Sequence, residues 1–234
     1  MATITLEDVT KAYGGVEAVR DATLTVGGGQ FHALVGPNGS GKTTVLRLLL
    51  GLTRPDSGAV GRDDAVLGSG FQTPNFYRGL TVAENLDVFA SLVGAPDGDW
   101  RETIVDELRL RREMDRRAAD LSGGFARKLD LALALLKQPD VLLLDEPLGA
   151  LDDVSKARLL AFLEDYRSTG ATVLVSTHHL REFEPHVDRV TMMHAGEILL
   201  DSPREAIETR AEESLHEFYV RTVSEREGLG AADD

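Results

Sequence analysis

The segment Gly36-Pro37-Asn38-Gly39-Ser40-Gly41-Lys42-Thr43 constrains the fold of this chain more than any other. It fits G-x-x-x-x-G-K-[ST] and stands between a short, mostly apolar run, Gln30 to Val35, and a helix pattern, Lys42 to Leu50. Glycines at this spacing let backbone N–H groups turn inward and cradle phosphate oxygens. Lys42 adds a point charge for β- and γ-phosphates, Thr43 offers a hydroxyl to Mg²⁺, and the helix N-terminus adds its partial positive charge. A strand that runs into such a loop and out into a helix is the start of an α/β sheet.

The rest of the chain continues that alternation. Thr3 to Val9, Val16 to Val26 and Ala65 to Phe71 read as strands, as do Val141 to Leu144, Ala171 to Ser176 and Arg189 to Met193. Glu197 to Leu200 closes a hairpin, and Pro55 and Gly58 mark a loop. Helices are expected over Thr81 to Val93, Trp100 to Arg109, Asp153 to Arg167 and Arg204 to Val220. Ser122 is a good N-cap for a further helix reaching about Lys137. A mostly parallel sheet follows, with the helices of residues 73–137 as an inserted helical subdomain. Residues 1–222 form one domain in this reading, and 223–234 a polar, frayed tail.

Composition narrows the setting. At 234 residues and 42% hydrophobic content, the chain can bury a sizeable core. No apolar run approaches the ~20 residues that span a bilayer. No signal peptide is visible after Met1-Ala2-Thr3-Ile4 and there is no cysteine, so a cytoplasmic location is expected. The net charge of −14 disfavours nucleic acid and direct contact with an anionic membrane surface. The cations are 20 Arg against 5 Lys. Many carboxylates with few lysines is the composition expected of a halophile, where salt screens self-repulsion. A GC-rich genome produces the same Arg bias.

Two further motifs carry chemistry. Val141-Leu142-Leu143-Leu144-Asp145-Glu146 is a buried apolar strand ending in two carboxylates. Asp145 is placed for the Mg²⁺ shell beside the phosphates, and Glu146 to orient or deprotonate an attacking water. Leu121-Ser122-Gly123-Gly124 is a second glycine turn opening a second helix, and therefore a second anion cradle. One nucleotide needs only one.

Together these residues resemble the nucleotide-binding subunit of an ATP-binding-cassette (ABC) transporter, from Thr3 to about Val220. The resemblance implies the P-loop NTPase fold of the ABC ATPases, with a small antiparallel part. It implies ATP and Mg²⁺ as ligands and ATP hydrolysis as the activity. Ser122, Gly123 and Gly124 would then bind the γ-phosphate of ATP held by a second subunit, a homodimer being the simpler pairing. Gly36, Pro37, Asn38, Gly39, Ser40, Gly41, Lys42, Thr43 and Thr44 would hold the chain's own nucleotide. Tyr13 looks like the aromatic that stacks on adenine, and Gln72 like the glutamine that touches Mg²⁺ and water. Asp152, in Gly149-Ala150-Leu151-Asp152, looks like a residue of the loop that crosses the dimer interface, although it also suits a helix cap. His178 looks like the histidine that contacts the γ-phosphate. Lys42, Gln72, Glu146 and His178 are thus the expected catalytic groups, with Thr43, Gln72 and Asp145 around the metal.

The chain departs from the family pattern at Phe125, where a polar residue is usual, at Leu148 and at His179. An apolar residue at 125 looks like exporter ATPases. The segment 58–72 is short, so the antiparallel strands beside the adenine are expected to be trimmed. The implied partner is a membrane permease on a separate chain, which places this subunit on the inner face of the cell membrane. A soluble ABC ATPase of the iron–sulfur assembly type is the alternative. Neither the cargo nor the permease is written in the sequence.

Overall fold

The computed structural model describes residues 2–96, 98–210 and 213–226. Strands β1 (Thr3–Tyr13) and β2 (Val16–Gly27) form a hairpin, and β3 (Phe31–Val35) leads into the glycine loop and helix α1 (Lys42–Leu49). After β4 (Ser57–Arg62) and β5 (Leu67–Gly70) come helices α2 (Val82–Val93), α3 (Trp100–Glu107) and α4 (Gly123–Leu135). The chain ends through β6 (Val141–Asp145), α5 (Asp153–Ser168), β7 (Thr172–Thr177), α6 (Leu180–Phe183), β8 (Arg189–His194), β9 (Glu197–Pro203) and α7 (Leu215–Arg226).

The main sheet has the order β5-β6-β7-β3-β8-β9. All neighbours are parallel except β8 and β9, the expected hairpin. Every residue of β3, β6 and β7 is buried, as expected of parallel strands covered on both faces. Their side chains alternate between two cores. Leu142, Leu144, Val173 and Val175 join Leu159 and Leu163 of α5 and Leu129 and Leu135 of α4. Val141, Leu143, Leu174 and Leu34 face the other way, toward Val45 and Leu49 of α1 and Ile4, Leu6 and Leu24 of the hairpin. Each fully buried leucine here contributes roughly 1.5–3 kcal/mol. A slip of one residue in any of these strands would exchange the two cores.

The structure departs from the sequence expectations in four places. The antiparallel sheet keeps three strands, β2-β1-β4; the segment around Gly58, expected as a loop and a trimmed sheet, supplies the third. Its sequence Ser-Gly-Ala-Val-Gly-Arg is exposed and glycine-rich, so no apolar alternation marks it. Its Arg62 donates to the carbonyls of Leu48 (2.5 Å) and Leu49 (2.7 Å), closing the C-terminus of α1. Second, β1 continues past Val9 to Tyr13 through a bulge at which Asp8 has φ 50°; the bulge breaks the period of two. Third, Arg204 to Val220 is not one helix. Arg204–Ala206 is a single 3-10 turn, and α7 starts at Leu215, behind a cap in which Ser214 and Glu217 exchange hydrogen bonds. That helix runs to Arg226, into the expected tail; residues 227–234 lie outside the described residues. Fourth, α6 is a four-residue helix, too short to leave a periodic signal.

Helices α2, α3 and α4 are the inserted helical subdomain, and its entry is tightly specified. Thr81 and Glu84 form a reciprocal capping box at the start of α2. Asn85, 0% exposed, accepts from Tyr77 N (2.8 Å) and donates to the carbonyls of Tyr77 (3.0 Å) and Thr81 (2.9 Å). It ties the segment after Gln72 to the helix. Asn85→Ala leaves these buried groups unpaired and should lower unfolding free energy by about 3 kcal/mol. Urea denaturation measures this, and a loss under about 0.5 kcal/mol would contradict the assignment.

Candidate active site

Residues from the C-terminal ends of β3, β6 and β7 converge at one edge of the sheet. The glycine loop leaves β3 pressed against its neighbours. A Cβ at Gly36 would lie 2.4 Å from Ser40 Oγ and 2.5 Å from Met193 O, and one at Gly41 2.3 Å from Ala18 O. Gly41 also has φ 106°, in the left-handed region. Pro37 and Ser40 shape the loop: Ser40 N donates to Pro37 O (3.1 Å), and Ser40 O accepts from Gly196 N (3.0 Å).

Lys42 is buried. Its ammonium donates to Gly36 O (2.6 Å) and Pro37 O (3.1 Å), two neutral carbonyls of its own loop. Burial lowers its pKa, and Glu146 and Asp145 act in the opposite sense. The N-terminus of α1 carries no side-chain cap and no acidic residue in its first turn. A buried cation on neutral acceptors beside an uncompensated helix N-terminus suits a polyanion.

Asp145, 3% exposed at the end of β6, receives Thr43 Oγ1 (2.7 Å) on one oxygen and Ser176 Oγ on the other. Two hard oxygen donors, Thr43 Oγ1 and Asp145 Oδ2, are thus adjacent, the donor set Mg²⁺ prefers. Glu146 follows with φ 49°. This left-handed conformation turns its carboxylate back over the strand ends, and its N–H donates to Ser176 O (3.0 Å). Glu146 Oε1 accepts from His178 N (3.1 Å) and lies 2.7 Å from His178 Nδ1; Oε2 accepts from Thr177 Oγ1 (3.4 Å). An ionised carboxylate only accepts, so Nδ1 carries the hydrogen in this contact. The pair can hold a water and take its proton. His179 donates its N–H to Thr177 Oγ1 (2.9 Å), and its ring packs 3.8 Å from that of His178.

Two clefts meet here. One of about 380 Å³ is lined by Asn38, Gly39, Gly41, Lys42, Thr43 and Thr44 together with Gln72, Asp145 and Glu146. The other, about 550 Å³, is lined by Gly123, the 148–151 loop, Thr177 and His178, and shares Gln72 and Glu146 with the first. Ser122 caps α4, its Oγ accepting from Phe125 N (3.4 Å). Gly124 lies close on the loop after β6: a Cβ there would be 3.3 Å from Ala150 O.

The sequence-predicted residues thus divide. The loop, Gln72, Asp145, Glu146 and His178 come together. Ser122 to Gly124 do not line the phosphate cleft; Gly123 lines the second cleft beside it. Asp152 caps α5 with both carboxylate oxygens on Ser155 (2.8 and 3.1 Å), and these hydrogen bonds lower its pKa. Tyr13 lines neither cleft; it is 45% exposed, with Lys11 Nζ 5.4 Å from its ring centroid.

Sequence reasoning missed Ser176 and Thr177, which hold the two carboxylates, and the buried residues Arg127 and Asp130 of α4. Burial raises the Asp130 carboxyl to about 6, against the opposing effects of Asn75 N–H and Arg127. The signal was present: Arg127, Asp130, Leu131 and Ala134 share one helical face, so the two charges stand in an inward stripe.

The ABC transporter family model matches residues 19–149. Over 92% of this chain and 74% of the relative, the sequence is 34% identical to the Nod factor export ATP-binding protein I of Rhizobium johnstonii. It is 36% identical to the aliphatic sulfonates import ATP-binding protein SsuB 1 of the same species, over 86% of this chain and 77% of that one. The fold matches a bacterial ABC transporter cassette solved as a dimer, with a TM-score of 0.78 and 26% identity over 87% of this chain and all of that one. The chain belongs to the ABC transporter family, as an ATP-binding subunit that hydrolyses ATP.

Proposed function

We propose that this chain powers an exporter permease on a separate polypeptide, working as a head-to-tail homodimer that encloses two ATPs. The observation that carries the reading is that its two anion-binding turns line different clefts. The phosphate cleft is lined by the glycine loop, Gln72, Asp145 and Glu146, and no residue of Ser122 to Gly124 is among them. The signature turn therefore serves a phosphate held by another chain. Solution of a related cassette as a dimer supports the same reading.

In this mechanism Gly36 to Thr44 hold the triphosphate, and Lys42 leaves its loop carbonyls to meet the phosphate oxygens. Thr43, Asp145 and Gln72 would hold Mg²⁺, which would supply charge neutralisation on the phosphates. Lys42 and the loop amides stabilise the charge that develops on the transferred phosphoryl group. Glu146 orients the water and takes its proton, while His178 Nδ1 and the backbone N–H groups fix the carboxylate. ATP touching both chains stabilises the closed dimer, and hydrolysis removes that bridge. Tyr13 reaches the adenine from the rim, and Asp152 lies at the interface while capping its own helix.

Export is favoured by Phe125, the apolar residue in the signature. The matching relatives include both an export and an import protein, so the direction rests on that residue. Their transporter names favour a transport role over the soluble iron–sulfur alternative. Among the described residues no helix is long and apolar enough to cross a membrane. The subunit would attach to the inner face of the cell membrane through its permease, by the segment from Gln72 to Leu80. Its −14 charge and scarce lysine support work in concentrated salt.

Glu146→Gln keeps shape and an acceptor for His178 but removes the base. It should lower kcat by about 100-fold or more while ATP affinity persists. Turnover at the normal rate would rule the role out. Lys42→Ala and Ser122→Arg chains should each be inactive alone, and mixing them should restore one composite site. Absence of activity in mixed dimers, isolated through two different tags, would contradict the composite site.

A further inference from the structure

Arg127 is a cation buried inside the helical subdomain's contact with the catalytic strand, at 3% exposure. It stands five positions after Ser122 on the same helix. Its guanidinium donates to the carbonyls of three residues in other segments: Phe71, Asp145 (2.5 Å) and Pro147 (3.3 Å). Those carbonyls belong to the immediate neighbourhood of Gln72 and of the Asp145–Glu146 pair. Asp130, one turn on, lies 3.5 Å from Nη1 and accepts from Asn75 N (2.8 Å). The charged groups facing Arg127 are Asp130, Asp145 and Glu146.

Burying a guanidinium carries a desolvation penalty, and an apolar residue could fill the same helix face without one. What an apolar residue cannot do is hold three carbonyls from two backbone segments, Phe71 on one and Asp145 and Pro147 on the other. Arginine's rigid fork of five N–H donors does this and lysine's single ammonium does not. The fork ties α4 to the segment entering Gln72 and to the end of β6. The signature turn is the N-terminus of α4.

We propose that Arg127, steadied by Asp130, is a positioning residue that transmits engagement of Ser122 to Gly124 by a neighbour's ATP to Gln72, Asp145 and Glu146 of its own chain, so that the two ATP sites act together. The proposal rests on the composite-site reading above. Arg127 contacts backbone carbonyls and Asp130, none of which is a reacting group.

The test measures hydrolysis against ATP and protein concentration for the wild-type chain, Arg127→Gln, Arg127→Lys and Asp130→Asn. Binding of a fluorescent ATP analogue is followed at protein concentrations too low for dimers. The wild-type chain should show cooperativity in ATP, with a Hill coefficient approaching about 2. In Arg127→Gln it should fall to about 1 and kcat should drop about tenfold or more, while single-chain nucleotide affinity stays within about twofold. Arg127→Lys, keeping the charge without the fork, should recover only part of the cooperativity. Should Arg127→Gln fail to fold, Arg127→Lys and Asp130→Asn must each lower the Hill coefficient at unchanged single-chain affinity. Cooperativity retained in the folded variants, or affinity lost in proportion to kcat, overturns the proposal. If wild-type hydrolysis depends on neither protein concentration nor cooperative ATP binding, the composite-site reading fails and this inference with it. Cooperative wild type with equally cooperative variants defeats this inference alone.

Discussion

The parallel register of β6, β7 and β3 is the constraint on which the rest of this structure depends. Val35 pairs with Thr177, and Asp145 with Ser176. Side by side, these strand ends release the glycine loop, the carboxylate pair and the His178 segment at one edge. The register is held by two apolar cores that take alternate residues of the same strands. A single-residue slip in one strand would exchange its residues between the two cores and move its polar end out of line with its neighbours. The chemistry at the edge is thus a consequence of hydrophobic packing beneath it, as is general at the carboxyl ends of parallel strands.

At that edge, the charges are arranged for an anion. Lys42 is buried on neutral carbonyls, the helix behind it is uncapped, and two hydroxyls hold Asp145 in place. The Glu146 carboxylate is held from three directions by Thr177 and His178. Asp145 and Glu146 are thus held in a fixed geometry before any substrate binds. The second glycine turn is outside this arrangement, on a helix tied to it through Arg127.

Much of this was legible in the sequence, and the exceptions have physical causes. The glycine loop and the strand ending in Asp145-Glu146 carry their own residue requirements and signal themselves. Strand β4 does not, because an exposed glycine-rich edge strand has no periodicity to read. The bulge at Asp8 hid the second half of β1 by breaking the period of two. Arg204 to Val220 has helical spacing, but Ser214 with Glu217 places the helix start at Leu215. Ser176 and Thr177 read as ordinary strand residues; only the tertiary fold turns their hydroxyls toward the carboxylates. Asp152 was readable in two ways, and the fold engages it as a cap. Arg127 sat in an inward-facing stripe, where its charge was the clue.

The central claim is that Ser122 to Gly124 complete a neighbour's nucleotide site. The chain has no cysteine, so introduced thiols are the only ones present. Asn38, on the glycine loop, and Ser122 are both exposed in the single chain. A chain carrying Asn38→Cys and Ser122→Cys, with Glu146→Gln to hold ATP, should oxidise to a covalent dimer when Mg²⁺ and ATP are present. Neither cysteine variant alone should give that product. Failure to form it, or a disulfide closing within one chain, would contradict the account.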